Sequence, residues 1–266
     1  MKKILFRLFG LLFVFYCACC AYMYFKQEAF IFLPEKLAQN KKLSINIPFE
    51  EVAIKVQGAK LSGLLCSVHQ PKGLIFFVHG NKGNLNDQEQ AARFYTSLGY
   101  DFFSFDYRGY GKSTGEIESE KQFFSDVVAA YSYCLKRYTA PEITIIGYSL
   151  GTAPASYLAT KSSVSRLILI APYFSLKKMT VHRYKVIPTF LLKYPFETNE
   201  HLKKAKQRVL IVHGDQDAVL PFEGGKALEE YLGNDDRFLK LPGQGHDDLE
   251  KNPQFRKAIR TYLGIQ

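Results

Sequence analysis

The clearest chemistry in this sequence lies in Gly147-Tyr148-Ser149-Leu150-Gly151. This serine sits between an apolar run at 142–146 and a helical pattern at 152–161, which reads as a strand–turn–helix elbow. So sharp a turn admits only Gly on either side of the strained serine, and the strain lifts the Ser149 hydroxyl above the sheet edge. The following helix aims its free N–H groups at the same place. A serine hydroxyl is a poor nucleophile at neutral pH and needs a base. Of the six histidines, His246 lies in Pro242-Gly243-Gln244-Gly245-His246, a Gly-rich loop between the last strand and the last helix. Loops leaving the carboxyl ends of parallel strands line the site in open α/β sheets. His79 and His213 also end strands, but each runs into Gly and a turn, so they read as packed histidines bracing their loops. His69, His182 and His201 are expected to be solvated. The base in turn needs a carboxylate to orient it. The run 209–212 leads into His213-Gly214-Asp215-Gln216-Asp217, and on spacing alone either aspartate serves.

Groups so far apart in sequence need a sheet to bring them together. Apolar runs at 74–78, 102–105, 143–146, 167–170, 209–212 and 237–241 alternate with helical patterns at 88–98, 119–138, 151–161, 224–232 and 247–263. Strands apolar on both faces, alternating with helices, mean a parallel sheet covered on both sides. Residues 51–58 and 61–68 read as a β-hairpin in front of it. Residues 174–207 break the rhythm, since one helix would suffice between the flanking strands.

Composition narrows the class. At 47% hydrophobic and 15% aromatic residues, the chain has too much to bury for global disorder. With 19 Gly and 11 Pro in 266 residues it is neither collagen-like nor a low-complexity linker. Cys66 and Cys134 fall on a strand and a helix and read as buried free thiols. The His and Cys residues lack metal-ligand spacing and no Gly-rich phosphate loop is present, so neither a metal nor a cofactor is expected. The net charge of +10 is not gathered on a basic helix beside stacking aromatics, which argues against a nucleic-acid partner. Much of it lies in 174–207, where Lys177, Lys178, Arg183, Lys185, Lys193, Lys203, Lys204 and Lys206 face only Glu197 and Glu200. Two readings follow. The segment is a solvated basic face, or it is a surface meeting anionic lipid headgroups or a negatively charged acyl substrate.

Two further stretches, Phe76-Phe77-Val78-His79-Gly80-Asn81-Lys82-Gly83-Asn84 and Asp106-Tyr107-Arg108-Gly109-Tyr110-Gly111-Lys112-Ser113-Thr114-Gly115, complete a pattern. With the elbow, they make the chain from about residue 52 onward resemble α/β-hydrolase-fold serine hydrolases, in particular the membrane-anchored, serine aminopeptidase-like branch. The resemblance implies an α/β-hydrolase fold over residues 49–266: a mostly parallel eight-stranded sheet flanked by helices, with 174–207 as a short lid. It implies a catalytic set of Ser149, Asp217 and His246, with Asp215 as the alternative acid. The implied oxyanion hole uses the backbone N–H groups of Leu150 and Asn81. Arg108 is implied to be a structural residue, paired or bonded to backbone. The expected activity is cleavage of carboxylic esters or thioesters in small-molecule or lipid-like acyl substrates. A serine peptidase is the nearest alternative, and a non-catalytic binding module on the same fold is the next. Recognition of a peptide N-terminus needs acidic residues above the site, and the insertion offers only Glu197 and Glu200.

The first 25 residues point to a membrane. Lys2, Lys3 and Arg7 precede residues 8–25, which carry no charge. As a helix this run reaches ~27 Å, close to the thickness of a bilayer's hydrocarbon core. Residues 4–25 are therefore expected to form a single-pass anchor and 26–48 a connector. The charges keep the N-terminus cytoplasmic and send the catalytic domain across. A cleaved signal peptide, leaving a secreted or periplasmic domain, is the alternative. Because all the candidate site residues lie after residue 49, catalysis is expected to be separable from the anchor. Alkaline carbonate and high salt should both leave the full-length chain in the membrane pellet, because hydrophobic insertion is insensitive to screening. Release by either would reduce the segment to a peripheral contact.

Overall fold

A computed structural model describes residues 2–265, the side chains of His182 and Arg183 aside. Eight strands form one sheet: β1 (Glu50–Val56), β2 (Ala59–Cys66), β3 (Leu74–Val78), β4 (Asp101–Phe105), β5 (Ile143–Tyr148), β6 (Arg166–Ile170), β7 (Arg208–Gly214) and β8 (Arg237–Leu241). Their spatial order is β1-β2-β4-β3-β5-β6-β7-β8. The hairpin β1–β2 pairs antiparallel and adds antiparallel to β4, while every later pair is parallel. Strands β3, β4 and β5 are buried nearly throughout, as their unbroken apolar runs require.

The helices are α1 (Lys2–Ile31), α2 (Glu89–Ser97), α3 (Glu120–Cys134), α4 (Thr152–Lys161), α5 (Leu176–Arg183), α6 (Thr198–Leu202), α7 (Phe222–Lys226) and α8 (Pro253–Tyr262). One apolar layer joins α3 and α4 to the sheet, and the other joins α2 and α8 to its opposite face. Two helical expectations need correction. The last helix begins at Pro253, not at 247, because a residue before proline is pushed out of the helical region. Asn252 instead caps the helix, its side chain accepting from Gln254 N at 2.9 Å. The stretch expected as one helix over 224–232 splits into α7 and a 3₁₀ turn over Ala227–Tyr231, with Gly224 and Gly225 weakening its first turn.

Helix α1 is long and apolar enough to cross a membrane, and its apolar side chains are exposed. It continues to Ile31, where the chain docks on the domain. Phe32 is buried against Phe123 and Tyr194, with ring centroids 5.5 and 5.2 Å away. Leu33–Pro34 then pairs in parallel with Lys82–Gly83, and Leu43 and Ile45 bury further along.

The 174–207 insertion packs against α1. Gln27 exchanges bonds with its backbone, Nε2 to Leu191 O at 2.6 Å and Lys193 N to Oε1 at 2.9 Å. Glu28 holds Lys193 Nζ at 3.1 Å and accepts from the Tyr194 hydroxyl at 2.9 Å. Nearer the middle of the apolar helix, the Tyr16 hydroxyl donates to Val186 O at 2.6 Å. The aromatics Tyr194 and Phe196 are core residues, whereas Phe190 is exposed. Both core thiols, Cys66 and Cys134, are buried and free.

Arg108 is paired and bonded to backbone, as expected. Its guanidinium grips Asp126 through two bonds of 2.6 and 3.0 Å and donates to Gln57 O at 2.8 Å, with both side chains buried. Arg108→Met leaves a carboxylate buried without its partner. It should cost about 3–5 kcal/mol in chemical denaturation, and adding Asp126→Leu should recover most of the loss. A single variant as stable as the parent would show that the pair contributes nothing.

Candidate active site

Ser149 sits at the carboxyl end of β5 in the left-handed region, with φ of +52°. The flanking glycines are required by close approach. A Cβ on Gly147 would lie 2.6 Å from Gly151 O, and one on Gly151 would lie 2.0 Å from Val78 O. The strained serine is thus wedged between α4 and the end of β3, as the motif predicts.

The loops after β7 and β8 converge on it. They are zipped by backbone bonds from Asp215 N to Leu241 O (3.1 Å) and Gln216 N to Gln244 O (3.0 Å). Gly214 allows this contact, since a Cβ there would lie 2.2 Å from Gln244 O. His246 Nε2 lies 3.0 Å from Ser149 Oγ, and His246 Nδ1 lies 2.7 Å from Asp217 Oδ2. Asp217 Oδ1 accepts from Val219 N and Leu220 N, each at 2.8 Å. Burial by itself raises the Asp217 carboxyl. The bonds from His213, His246 and Leu220 N outweigh it and hold the group well below the usual carboxylate range. An ionised Asp217 assigns the His246 proton to Nδ1 and leaves Nε2 free to accept from the serine.

Asp215 is turned away. Its carboxylate accepts from Gly243 N at 2.7 Å and pairs with Lys240 Nζ at 3.0 Å, so it ties the two loops together. Leu150 follows the serine directly, and Asn81 follows Gly80, where a Cβ would meet Ser149 Cβ at 3.5 Å. Asn81 and Ser149 line the same cavity.

The other histidines separate by environment. His79 is fully buried beside Tyr107, ring centroids 4.1 Å apart, with Nδ1 2.7 Å from Gly80 O. Burial pushes its pKa down to about 4, with the Gly80 bond opposing. His213 does more than brace its loop, because its Nε2 lies 3.1 Å from Asp217 Oδ2. Sequence reasoning missed this fourth donor to the acid; the only signal was the i, i+4 spacing of His213 and Asp217. His69 is exposed, as expected, and the His182 side chain lies outside the described residues. His201 corrects the expectation of a solvated group. It packs edge-on against Tyr157 and Phe124, centroids 5.3 and 5.6 Å away, and burial pushes its pKa down to about 4.

Ser149 and His246 open into a cavity of about 600 Å³ that is also lined by Leu33, Gly80, Asn81, Lys82 and Tyr148. Its rim carries Glu35, Asp87, Asp247, Asp248 and Glu250 against Lys82. None of the described side chains of 174–207 lines this cavity, because the insertion is held against α1 instead. These acidic groups come from the β8–α8 loop, the segment after α1 and the connection between β3 and α2, three places that sequence reasoning left out. Tyr148 steadies that loop by donating to Asp247 Oδ1 at 2.9 Å.

A serine at a strand–helix elbow on this strand order, with His and Asp on the loops after β8 and β7, defines an α/β-hydrolase. Residues 69–197 match the family model described as serine aminopeptidase, S33, and residues 190–264 match that described as TAP-like protein. The chain belongs to the α/β-hydrolase superfamily. It is 30% identical over 198 residues to alpha/beta hydrolase domain-containing protein aho-3 of Caenorhabditis elegans, covering 72% of this chain and 58% of that one. It is 33% identical over 198 residues to alpha/beta hydrolase domain-containing protein 17B of Xenopus laevis, covering 72% and 66%. The match thus spans about three-fifths of these relatives' length. An esterase of Pyrococcus furiosus superposes with a TM-score of 0.69 at 16% identity, covering 88% of this chain and 97% of that one. Est1E of Butyrivibrio proteoclasticus, solved with ferulic acid bound, gives 0.65 at 20% identity, covering 80% and 97%.

The depressed histidines set a pH dependence. Unfolded, His201 takes a proton near pH ~6.5; folded, it does so only at about 4. In that window the unfolded chain binds more protons. Stability is therefore complete above the upper value and falls as pH drops toward the lower one. Replacing His201 with Phe should flatten this acid loss in thermal unfolding, leaving the share carried by His79. An unchanged pH slope would show that His201 ionises freely in the fold.

Proposed function

We propose that this protein is a membrane-anchored serine hydrolase that cleaves carboxylic ester or thioester bonds through an acyl-enzyme on Ser149. The observation that carries the reading is the unbroken path from Ser149 Oγ through His246 to Asp217, with links of 3.0 and 2.7 Å. His246 Nε2 takes the serine proton as Oγ attacks the acyl carbon. Asp217 holds the imidazole and stabilises the imidazolium. The negative charge on the tetrahedral oxygen is met by the N–H groups of Leu150 and Asn81, each worth on the order of 10²–10³ in rate. Collapse breaks the acyl–oxygen or acyl–sulfur bond, and His246 returns its proton to the leaving alcohol or thiol. Water then repeats the sequence on the acyl-enzyme and frees the acid.

The acidic rim refines the substrate. Glu35, Asp87 and Asp247 against Lys82 disfavour a negatively charged acyl substrate and favour a neutral or cationic one, while Asp248 is paired with Lys251 and burial raises the Glu250 carboxyl. It also supports a second reading, a peptidase that holds a peptide's amino terminus, in keeping with the S33 model's description. In this proposal α1 spans the bilayer with its basic end cytoplasmic and the domain on the far side, and a processed form would be secreted or periplasmic.

A fluorophosphonate probe and a p-nitrophenyl ester panel test the proposal. Ser149→Ala should lose both labelling and turnover. Asp217→Asn should lose on the order of 10⁴ in kcat, while Asp215→Asn stays within a few-fold of the parent. Esters with a quaternary ammonium group should exceed carboxylate-bearing ones in kcat/KM. Turnover of an aminoacyl p-nitroanilide above that of every ester would move the protein to the peptidases, and full activity in Ser149→Ala would end the serine-hydrolase reading.

A further inference from the structure

The segment that leaves the anchor helix is bonded directly to the loop carrying Asn81. Leu33 N donates to Asn81 O at 2.8 Å, and the Asn81 side-chain amide donates to Ile31 O at 3.0 Å. Asn81 is therefore bracketed by the backbone of residues 31 and 33. The Tyr110 hydroxyl adds a third tie, donating to Asn81 O at 2.6 Å while accepting from Leu33 N at 3.1 Å. Two residues further on, Glu35 N donates to Gly83 O at 3.0 Å, and the Asn84 amide and Gly111 N donate to Glu35 O at 3.1 Å each. Phe32 pins the segment from the other side by burial in the core.

We propose that residues 31–35 are a positioning strap that orients the Asn81 peptide for oxyanion binding, and so couple the membrane anchor to catalysis. The inference rests on the serine-hydrolase reading of the site. Two of the groups radiating from the Asn81 Cα, its carbonyl and its side chain, are tied down. The loop after β3 otherwise ends in Gly80-Asn81-Lys82-Gly83, whose two glycines leave the backbone free to turn. An oxyanion donor helps only when it is preorganised, because reorientation during reaction forfeits the gain. The strap supplies that order from outside the loop. Catalysis is thus not separable from the juxtamembrane segment, contrary to what the positions of the three catalytic candidates suggest. Removing everything before Leu43 deletes all the strap's bonds to Asn81 and Gly83.

Two full-length, detergent-solubilised variants test this with p-nitrophenyl butyrate. Asn81→Ala removes the tie to Ile31 and keeps the Asn81 backbone N–H. Leu33→Pro removes the N–H that reaches Asn81 O. Each should lower kcat by about 10- to 100-fold, a partial loss of one oxyanion donor, with KM nearly unchanged. Affinity for a trifluoromethyl ketone, whose adduct places an oxyanion in the hole, should fall by the same factor. The thermal midpoint of Asn81→Ala should stay within a few degrees of the parent, which separates positioning from unfolding if Leu33→Pro proves unstable. Parent-like kcat and ketone affinity in folded Asn81→Ala would overturn the strap, as would a loss confined to KM. Ser149→Ala in the same assay separates the two failures. If it is inactive while the strap variants are not, only the strap is wrong. If it is active, the site reading itself is wrong.

Discussion

The turn at Ser149 is the constraint on which the rest of the site depends. A residue with a side chain is held at positive φ because Gly147 and Gly151 let strand, helix and the end of β3 approach within backbone contact. That contact sets Ser149 beside Gly80 and points α4's amino end at the same space. Everything else brings partners to this fixed point. Adjacent loops at the end of the sheet deliver His246 and Asp217, and the bonds from Asp215 and Gln216 keep those loops together.

Charge is distributed against the chain's own balance. A protein of net charge +10 lines its cavity with five carboxylates and one lysine. Three of the insertion's lysines are paired away from it: Lys193 meets Glu28, Lys177 meets Glu197, and Lys203 meets Glu200. The basic surface and the acidic cavity are thus different parts of the molecule. A long-range attraction of the domain to anionic surfaces and a short-range preference for cationic groups at the site are compatible.

Helix α1 is part of the domain's packing. Gln27 and Glu28 bind the insertion, Phe32 enters the core, and residues 33–35 pair with the loop after β3. The helix is therefore joined to the loop beside Ser149 through a few short hydrogen bonds.

The alternation of apolar runs with helical patterns, the Gly-flanked serine and the Gly-rich loop before His246 were legible in the amino-acid order. Strand periodicity and turn chemistry are short-range, so residues a few positions apart carry them. The choice between Asp215 and Asp217 was not legible from their spacing, since the two lie two positions apart in the same loop; resemblance favoured Asp217. The folded chain aims four donors at Asp217 and gives Asp215 to Lys240 and Gly243. Nor did the order of residues reveal that His201 is packed between rings, that the insertion lies on α1 and away from the cavity, or that residues 31–35 hold Asn81. Each of these joins segments tens of residues apart, in several cases through backbone groups. A backbone N–H or carbonyl is the same at nearly every position, so its partner is decided only when the chain is folded.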